Sequence, residues 1–320
     1  MSMMKPWKLI SLLLMLQLLA GCESKLEQTQ ATISQQITVA QQGIDKLGNA
    51  LEQGQVRNAK LLTEYARILK AQKPELTRIT ELVAEDATTQ GPLYQGLTSR
   101  LNDIKAETVT LDSAGLVLDN LTRLQEAAQL RLYSDALTDP INVLADMSDG
   151  QLARIGAISK QAEASSGGGS DYGAGSQLVG NPNYGGWQTQ PNGTSFWQWY
   201  GMYRMFGDLT GRVSYGNWSN NRRYSYYSDY GRSRYTSPKQ GRQQTAVETK
   251  TRKEFKRKGQ SFSSPYAKKR TGSSGLSRSS YTPTKTASSY AKSSRSATSS
   301  KTGSFRNSGS RTSRGVSRGK

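Results

Sequence analysis

Cys22 is the only thiol in the 320-residue chain, and it directly follows Leu19-Ala20-Gly21. A single Cys excludes an intrachain disulfide and a Cys-rich metal site. The chain contains no His. That removes Ser-His-Asp and Cys-His nucleophilic machinery, His-based zinc sites and the ordinary proton shuttle of neutral pH. Glu85-Asp86, and Asp146 with Asp149, are residue types that could form a two-carboxylate site. Their surroundings read instead as helix caps or a solvated face. Gly173-Ala174-Gly175 has no strand pattern before it and no helix pattern after it, so it is no dinucleotide fingerprint. Gly207 to Arg212 lacks the Gly-Lys-Ser/Thr ending of a phosphate loop. Ser-Lys neighbours recur near the C-terminus, but a catalytic pair needs a desolvated Lys and that segment reads as hydrated. No catalytic residue, no metal and no cofactor is expected.

Electrostatic binding remains. Arg222 and Arg223, then Lys256, Arg257 and Lys258, then Lys268, Lys269 and Arg270 concentrate positive charge. Tyr224, Tyr226, Tyr227, Tyr230 and Tyr235 are interleaved with them. Arg beside aromatic rings pairs with phosphates while stacking on bases or sugars. These eight cations are the candidate polyanion-binding residues. The competing reading is a solvated tail with no particular partner.

The compartment decides which polyanions are within reach. Lys5 and Lys8 precede a mostly apolar run, Leu9 to Leu19, broken by Ser11 and Gln17. The run is the length of a signal core and short for a membrane span. With Ala20, Gly21 and Cys22 at its end, it resembles the lipobox of bacterial lipoproteins. The alternative is an ordinary signal peptide that contains Gly-Cys by chance. The resemblance covers the first 22 residues and implies cleavage between Gly21 and Cys22. It also implies a covalent lipid such as palmitate on the Cys22 sulfur and possible acylation of the new amine. Glu23, rather than Asp, implies sorting to the outer membrane, facing the periplasm. No later segment has the roughly 20 continuous apolar residues of a span. One acyl chain anchors weakly, at about 0.8 kcal/mol per buried methylene, whereas two or three hold firmly. The reachable polyanions are then lipopolysaccharide phosphates, anionic head groups, acidic wall polymers and released DNA.

The elements that would carry these residues fall into two halves. Residues 23–164 hold 14 Lys and Arg against 19 Asp and Glu, whereas 165–320 hold 27 against 5. The basicity therefore belongs to the C-terminal half alone. All five Phe and four of the five Trp also lie beyond residue 165, which leaves only Tyr65, Tyr94 and Tyr133 in the acidic half. An aliphatic core of that kind suits helix-on-helix packing.

Periodicity agrees. From Leu26, alternating steps of four and three visit thirteen positions to Ile68, and ten are apolar, with a weak patch at Gly54 and Asn58. This is a coiled-coil type seam that could meet partner helices or a second copy. Unbroken, the helix would reach about 70 Å. Gly48 and Gly54 each cost about 1 kcal/mol relative to Ala, so a break at the weak patch is expected. Pro74 ends the segment. Further helices are expected around Leu76–Val83, from Pro92 through Leu93, Leu97, Leu101 and Ile104, and from a cap at Asp112 or Ser113 through Leu116, Leu121, Leu124 and Ala128. Asp139-Pro140 opens a last pair of short helices running towards Glu163.

The expected fold is all-α: an elongated helical bundle or coiled-coil-like domain over 22–164, after a signal at 1–21. A Gly/Ser-rich linker follows over 165–186, an aromatic island over 187–212, and a disordered basic tail over 213–320. Residues 255–320 hold 16 Lys and Arg and no acid, so self-repulsion extends them. The island, with Trp187, Phe196, Trp197, Trp199, Tyr200, Tyr203 and Phe206, is similar to an aromatic block of bacterial envelope proteins that has no defined activity. It reads as a membrane-interface anchor, a docking motif, or a short helix packed on the chain's own bundle.

Overall fold

The seam breaks at its weak patch. In the computed structural model, which describes residues 6–156 and 172–266 with side chains from Lys25 onward, helix α1 (Pro6–Glu52) ends just before Gly54. Gly54 has φ +61°, a left-handed conformation cheap only for Gly, and α2 (Arg57–Gln72) starts beyond it. Ile33, Ala40, Ile44, Leu47 and Leu51 are buried, and Ile37 packs on the same core. They are covered by α4 (Pro92–Ala106) and α5 (Leu111–Ala127). Beyond the turn the buried stripe moves on by one residue, to Asn58, Ala59, Leu62, Ala66 and Leu69. Among the described residues most of the seam is covered within its own chain.

Pro74 opens a single 3₁₀ turn leading into α3 (Thr77–Ala84), and Pro92 sits in the first turn of α4, whose Leu93, Leu97, Leu101 and Ile104 are all buried. The cap of α5 is Thr110, in a capping box with Ser113, rather than Asp112 or Ser113. Leu116 correspondingly points outward, 48% exposed, while Val117 is buried. Two short helices, α6 (Leu130–Ala136) and α7 (Thr138–Met147), complete this half. Helix α7 is buried almost all round, as a central helix must be, and α2 and α3 pack against it. The expected helix towards Glu163 falls largely on residues 157–171, outside the described residues.

The larger correction begins at Tyr172. The linker and the first part of the tail are built structure: Gln177, Leu178, Val179 and Tyr184 are buried. The island is a β-hairpin followed by helical turns, a 3₁₀ turn over Gly201–Met205 and then a short α-helix. Strands β1 (Gly185–Thr189) and β2 (Ser195–Trp199) pair antiparallel with Trp187 opposite Trp197. Short helices α8 (Phe206–Thr210) and α9 (Tyr215–Asn221) follow, then a π turn over Tyr227–Gly231 that runs into α10 (Arg232–Tyr235). The last, α11 (Pro238–Arg257), starts on a Ser237/Gln240 capping box with Pro238 in its first turn. Among the described residues the fold is thus mostly helical with one two-stranded sheet. These elements belong to one unit, Met1–Pro283. The expected disorder of 267–320, and of 165–171, lies outside the described residues.

Aromatic rings do here what aliphatic side chains do in the first half. Trp187 lies 5.1 Å from Trp197, 4.8 Å from Tyr215 and 5.1 Å from Trp218, and Trp199 lies 5.4 Å from Phe206. Tyrosine hydroxyls tie this layer to the helices. Tyr203 donates to the Leu82 carbonyl at 3.2 Å, and Tyr235 to those of Ala127 and Leu132 at 3.1 Å. A ring buries large apolar area while its hydroxyl finds a partner, so a Tyr-rich segment can join a core. Gly180 marks how closely the layers meet: it has φ +91°, and a Cβ there would lie 2.5 Å from the Trp218 ring. Gly180→Ala is expected to cost about 2–3 kcal/mol from backbone strain and overpacking together, read as a lowered urea midpoint. An unchanged midpoint would show that the Trp218 layer is loosely packed.

Candidate anion-binding cleft

The cations expected to act together are separated by the fold. Arg222 is buried, with Nη2 2.5 Å from Asp229 Oδ1 and Nη1 3.2 Å from Oδ2, and its Nε donates to the Pro265 carbonyl at 2.8 Å. The side chains are 1% and 0% exposed, a closed structural ion pair. Arg223 is buried beside it. Neither is available to a polyanion, because each has exchanged water for protein partners. Lys256, Arg257 and Lys258 are exposed at the C-terminal end of α11, where cations complement the helix dipole, and Lys258 pairs with Glu254 at 3.2 Å. Lys268, Lys269 and Arg270 lie outside the described residues. Gly21 and Cys22 lie within α1, with their side chains outside the described set.

The aromatic candidates are core. Trp197, Trp199, Tyr203 and Phe206 are buried, and Trp187 packs against them half-buried. Phe196 is half-buried beneath the Arg212 guanidinium, 3.8 Å from the ring centre. Only Tyr200, 49% exposed, faces water. Of the readings of the island, packing on the chain's own bundle fits these positions, with the Trp residues on a hairpin and Tyr203 and Phe206 on the helical turns after it.

The acidic pairs do not form a two-carboxylate site. Asp86, expected at a cap or on a solvated face, is fully buried and accepts from the Tyr184 hydroxyl at 2.8 Å and the Leu93 amide at 3.4 Å. Asp139 is buried too. Its Oδ1 accepts from the Tyr226 amide at 2.6 Å, and its Oδ2 accepts from the Tyr227 amide at 2.9 Å and the Ser225 hydroxyl at 3.0 Å. Burial pushes each carboxyl up to about 7, against the pull of these donors. Both pin the C-terminal half onto the helices. Asp146 meets Gln177 Nε2 at 2.5 Å, and Asp149 pairs with Lys73. Among the described residues no group of three or more Cys, Asp and Glu is placed to hold a metal ion.

Charge collects instead in a cleft of about 1060 Å³ between α5 and α11. Gly241, Arg242, Thr245, Ala246, Thr249, Lys250 and Lys253, one continuous face of α11, form one wall. Leu116, Asp119, Asn120 and Arg123 of α5 form the other, with Arg100 of α4 and Arg232 at the base. Both acids are engaged: Asp119 with Arg123 at 2.8 Å, and Asp229 with Arg222. Arg242, Lys250 and Lys253 make no ion pair among the described residues. A smaller cavity of about 390 Å³ continues past Arg100 and Asn120 to Lys239, with Asp103 and Glu107 at its far side.

Arg100 is the unusual member. It is 5% exposed, yet its guanidinium meets only neutral acceptors. These are Asn120 Oδ1 at 2.5 Å, the Asn120 carbonyl at 3.2 Å and the Arg234 carbonyl at 2.5 Å. Burial, followed by the charge of Arg123, pulls its pKa down to about 10, so it stays cationic at neutral pH.

The chain matches no known protein family, no curated protein and no solved structure. Its function is therefore read from its own chemistry. Sequence reasoning missed the cleft because half of it comes from the acidic domain. Two signals were present: Arg100 sits between Leu97 and Leu101 on the apolar side of α4, and α11 alternates basic and small residues at helical spacing.

Proposed function

We propose that the chain is a non-enzymatic lipoprotein of the cell envelope. Lipid on Cys22 holds it to a membrane, and it acts as a tether or scaffold whose basic half binds an envelope polyanion. The observation that carries the anchor is the position of the only thiol, directly after a charged-then-apolar signal pattern ending in Leu19-Ala20-Gly21. By likeness to lipoproteins, Glu23 directs it to the outer membrane, facing the periplasm. The first buried side chain of α1 among those described is Ile33, eleven residues beyond Cys22, which leaves about 16 Å of helix as a spacer.

The binding half of the proposal rests on the cations that remain once Arg222 and Arg223 are removed. These are Lys256, Arg257 and Lys258, the basic cleft, and the 13 Lys and Arg of residues 267–320, a stretch that holds no acid. The alternative, an accessory subunit docking its helical domain onto a larger envelope complex, has less support from the α1 seam, since most of those side chains among the described residues are covered internally.

Cells fed radioactive palmitate are expected to label wild-type protein and not Cys22→Ala. Equal labelling would remove the anchor from the proposal. Capture of envelope fractions by the mature chain is expected to fall steeply with salt. The informative truncation ends after Tyr266, because one at residue 165 would strip away the aromatic half of the core.

A further inference from the structure

The cleft between α5 and α11 carries chemistry beyond a diffuse basic surface. We infer that it is a binding site for a phosphate-bearing glycan chain, an assignment that rests on the polyanion reading above and gives that reading a place. Three features define the occupant. The wall of α11 from Gly241 to Lys253 is about 18 Å long, which suits a linear polymer rather than a single ion. Its cations, Arg242, Lys250 and Lys253, are unpaired among the described residues, and buried Arg100 adds a charge whose hydrogen bonds go only to neutral acceptors. Thr245 and Thr249 stand between the cations along α11, with Ser233 and Ser237 also in the lining. Thr245 donates to the Gly241 carbonyl and Ser237 caps the helix, which leaves acceptor lone pairs on these two. The Ser233 and Thr249 hydroxyls complete the set for sugar hydroxyls and phosphate oxygens.

The same lining disfavours other occupants. An amphipathic helix needs apolar anchors at i, i+3, i+4 and i+7, and the cleft offers Leu116 as its one exposed large apolar residue. A single nucleic-acid strand needs free aromatic faces for its bases. Here the Tyr266 ring is covered by the Arg232 guanidinium at 3.7 Å, and Tyr230 lies against Tyr226 at 6.1 Å. The chain's own residues 267–320 are repelled, since they hold 13 Lys and Arg and no acid.

The test uses the full mature chain and soluble probes: deacylated lipopolysaccharide, poly(glycerol phosphate), dephosphorylated lipopolysaccharide glycan, a single-stranded oligonucleotide and polyglutamate. One variant combines Arg242→Ala, Lys250→Ala and Lys253→Ala. A control combines Lys256→Ala, Arg257→Ala and Lys258→Ala, on the same helix but outside the cleft. All six residues are exposed, and thermal melting checks that both variants fold. Calorimetry is expected to show binding of deacylated lipopolysaccharide, with loss of about tenfold or more in the cleft variant, whereas tighter binding of poly(glycerol phosphate), which carries phosphates but no sugar, would overturn the glycan part of the assignment. The control, which removes the same number of charges from the helix end outside the cleft, is expected to lose clearly less affinity than the cleft variant, and the dephosphorylated glycan is expected to bind weakly. Tighter binding of the oligonucleotide or polyglutamate would overturn the ligand class. Loss in the control but not in the cleft variant would overturn the cleft and leave the polyanion reading standing. If wild type binds none of the anionic probes, both fall.

Discussion

Replacing Asp139 by Asn is expected to destabilise the folded chain by about 2 kcal/mol near pH 4, where burial keeps the wild-type carboxyl protonated and the exchange removes no charge. The carboxyl group spreads three accepted hydrogen bonds over both oxygens, two from the amides of Tyr226 and Tyr227 and one from the Ser225 hydroxyl. Asn has one acceptor oxygen, and its amide group would face a buried donor. At least one buried N–H or O–H would lose its partner, at about 1–3 kcal/mol each. The contact joins α7 to a segment 87 residues away, so the loss falls on the docking of the C-terminal half. Hydrogen exchange should accelerate first over residues 225–235, and the urea midpoint should fall. A variant with wild-type midpoint and protection would show that Asp139 does not hold the two halves together.

Asp86 is equally buried but differently partnered, and the same substitution there should have the opposite sign. Burial raises its folded pKa from 3.8 to about 7, and Asp139 behaves alike. Below about pH 4 both folded and unfolded chains hold these protons. Between about pH 4 and 7 the unfolded chain releases them while the folded chain keeps them, so stability falls as pH rises. Above about 7 both states are ionised and the dependence flattens. The shift corresponds to about 4 kcal/mol per group. Asn at position 86 reproduces the protonated acid: its carbonyl accepts the Leu93 amide and its amide group donates to the Tyr184 oxygen. Asp86→Asn should therefore match wild type near pH 4 and exceed it by about 3 kcal/mol at pH 8. Unfolding midpoints across this range supply the check, and parallel pH curves for the two proteins would refute it.

Helices and their limits were legible because their signals are local. Gly54 at the weak patch, Pro74, and Gly91-Pro92 each act on the backbone within a turn, and all three fall where a helix ends or starts. At α5 only the start was misplaced: Thr110, not Asp112 or Ser113, supplies the cap and Val117 rather than Leu116 is buried, while Leu121, Leu124 and Ala128 lie in the core as expected. The β-hairpin was hidden for another reason. Gly and Ser between Trp and Tyr resemble linker composition, while the burial of Trp187 against Trp197 depends on a strand pairing that exists only once the chain turns back.

What the sequence determined by itself is therefore the set of chemistries: one thiol in a lipobox-like context, no His, an acidic aliphatic half and a basic aromatic half. Those follow from residue identity, which no fold can change. Which charges are free was decided only by tertiary structure. Arg222 looks like surface until Asp229 and the Pro265 carbonyl enclose it, and Arg100 looks like an ordinary helix residue until Asn120 and Arg234, the latter 134 residues away, surround it. Desolvation and the partner a charge meets are properties of packing, and packing brings together residues that sequence spacing keeps apart.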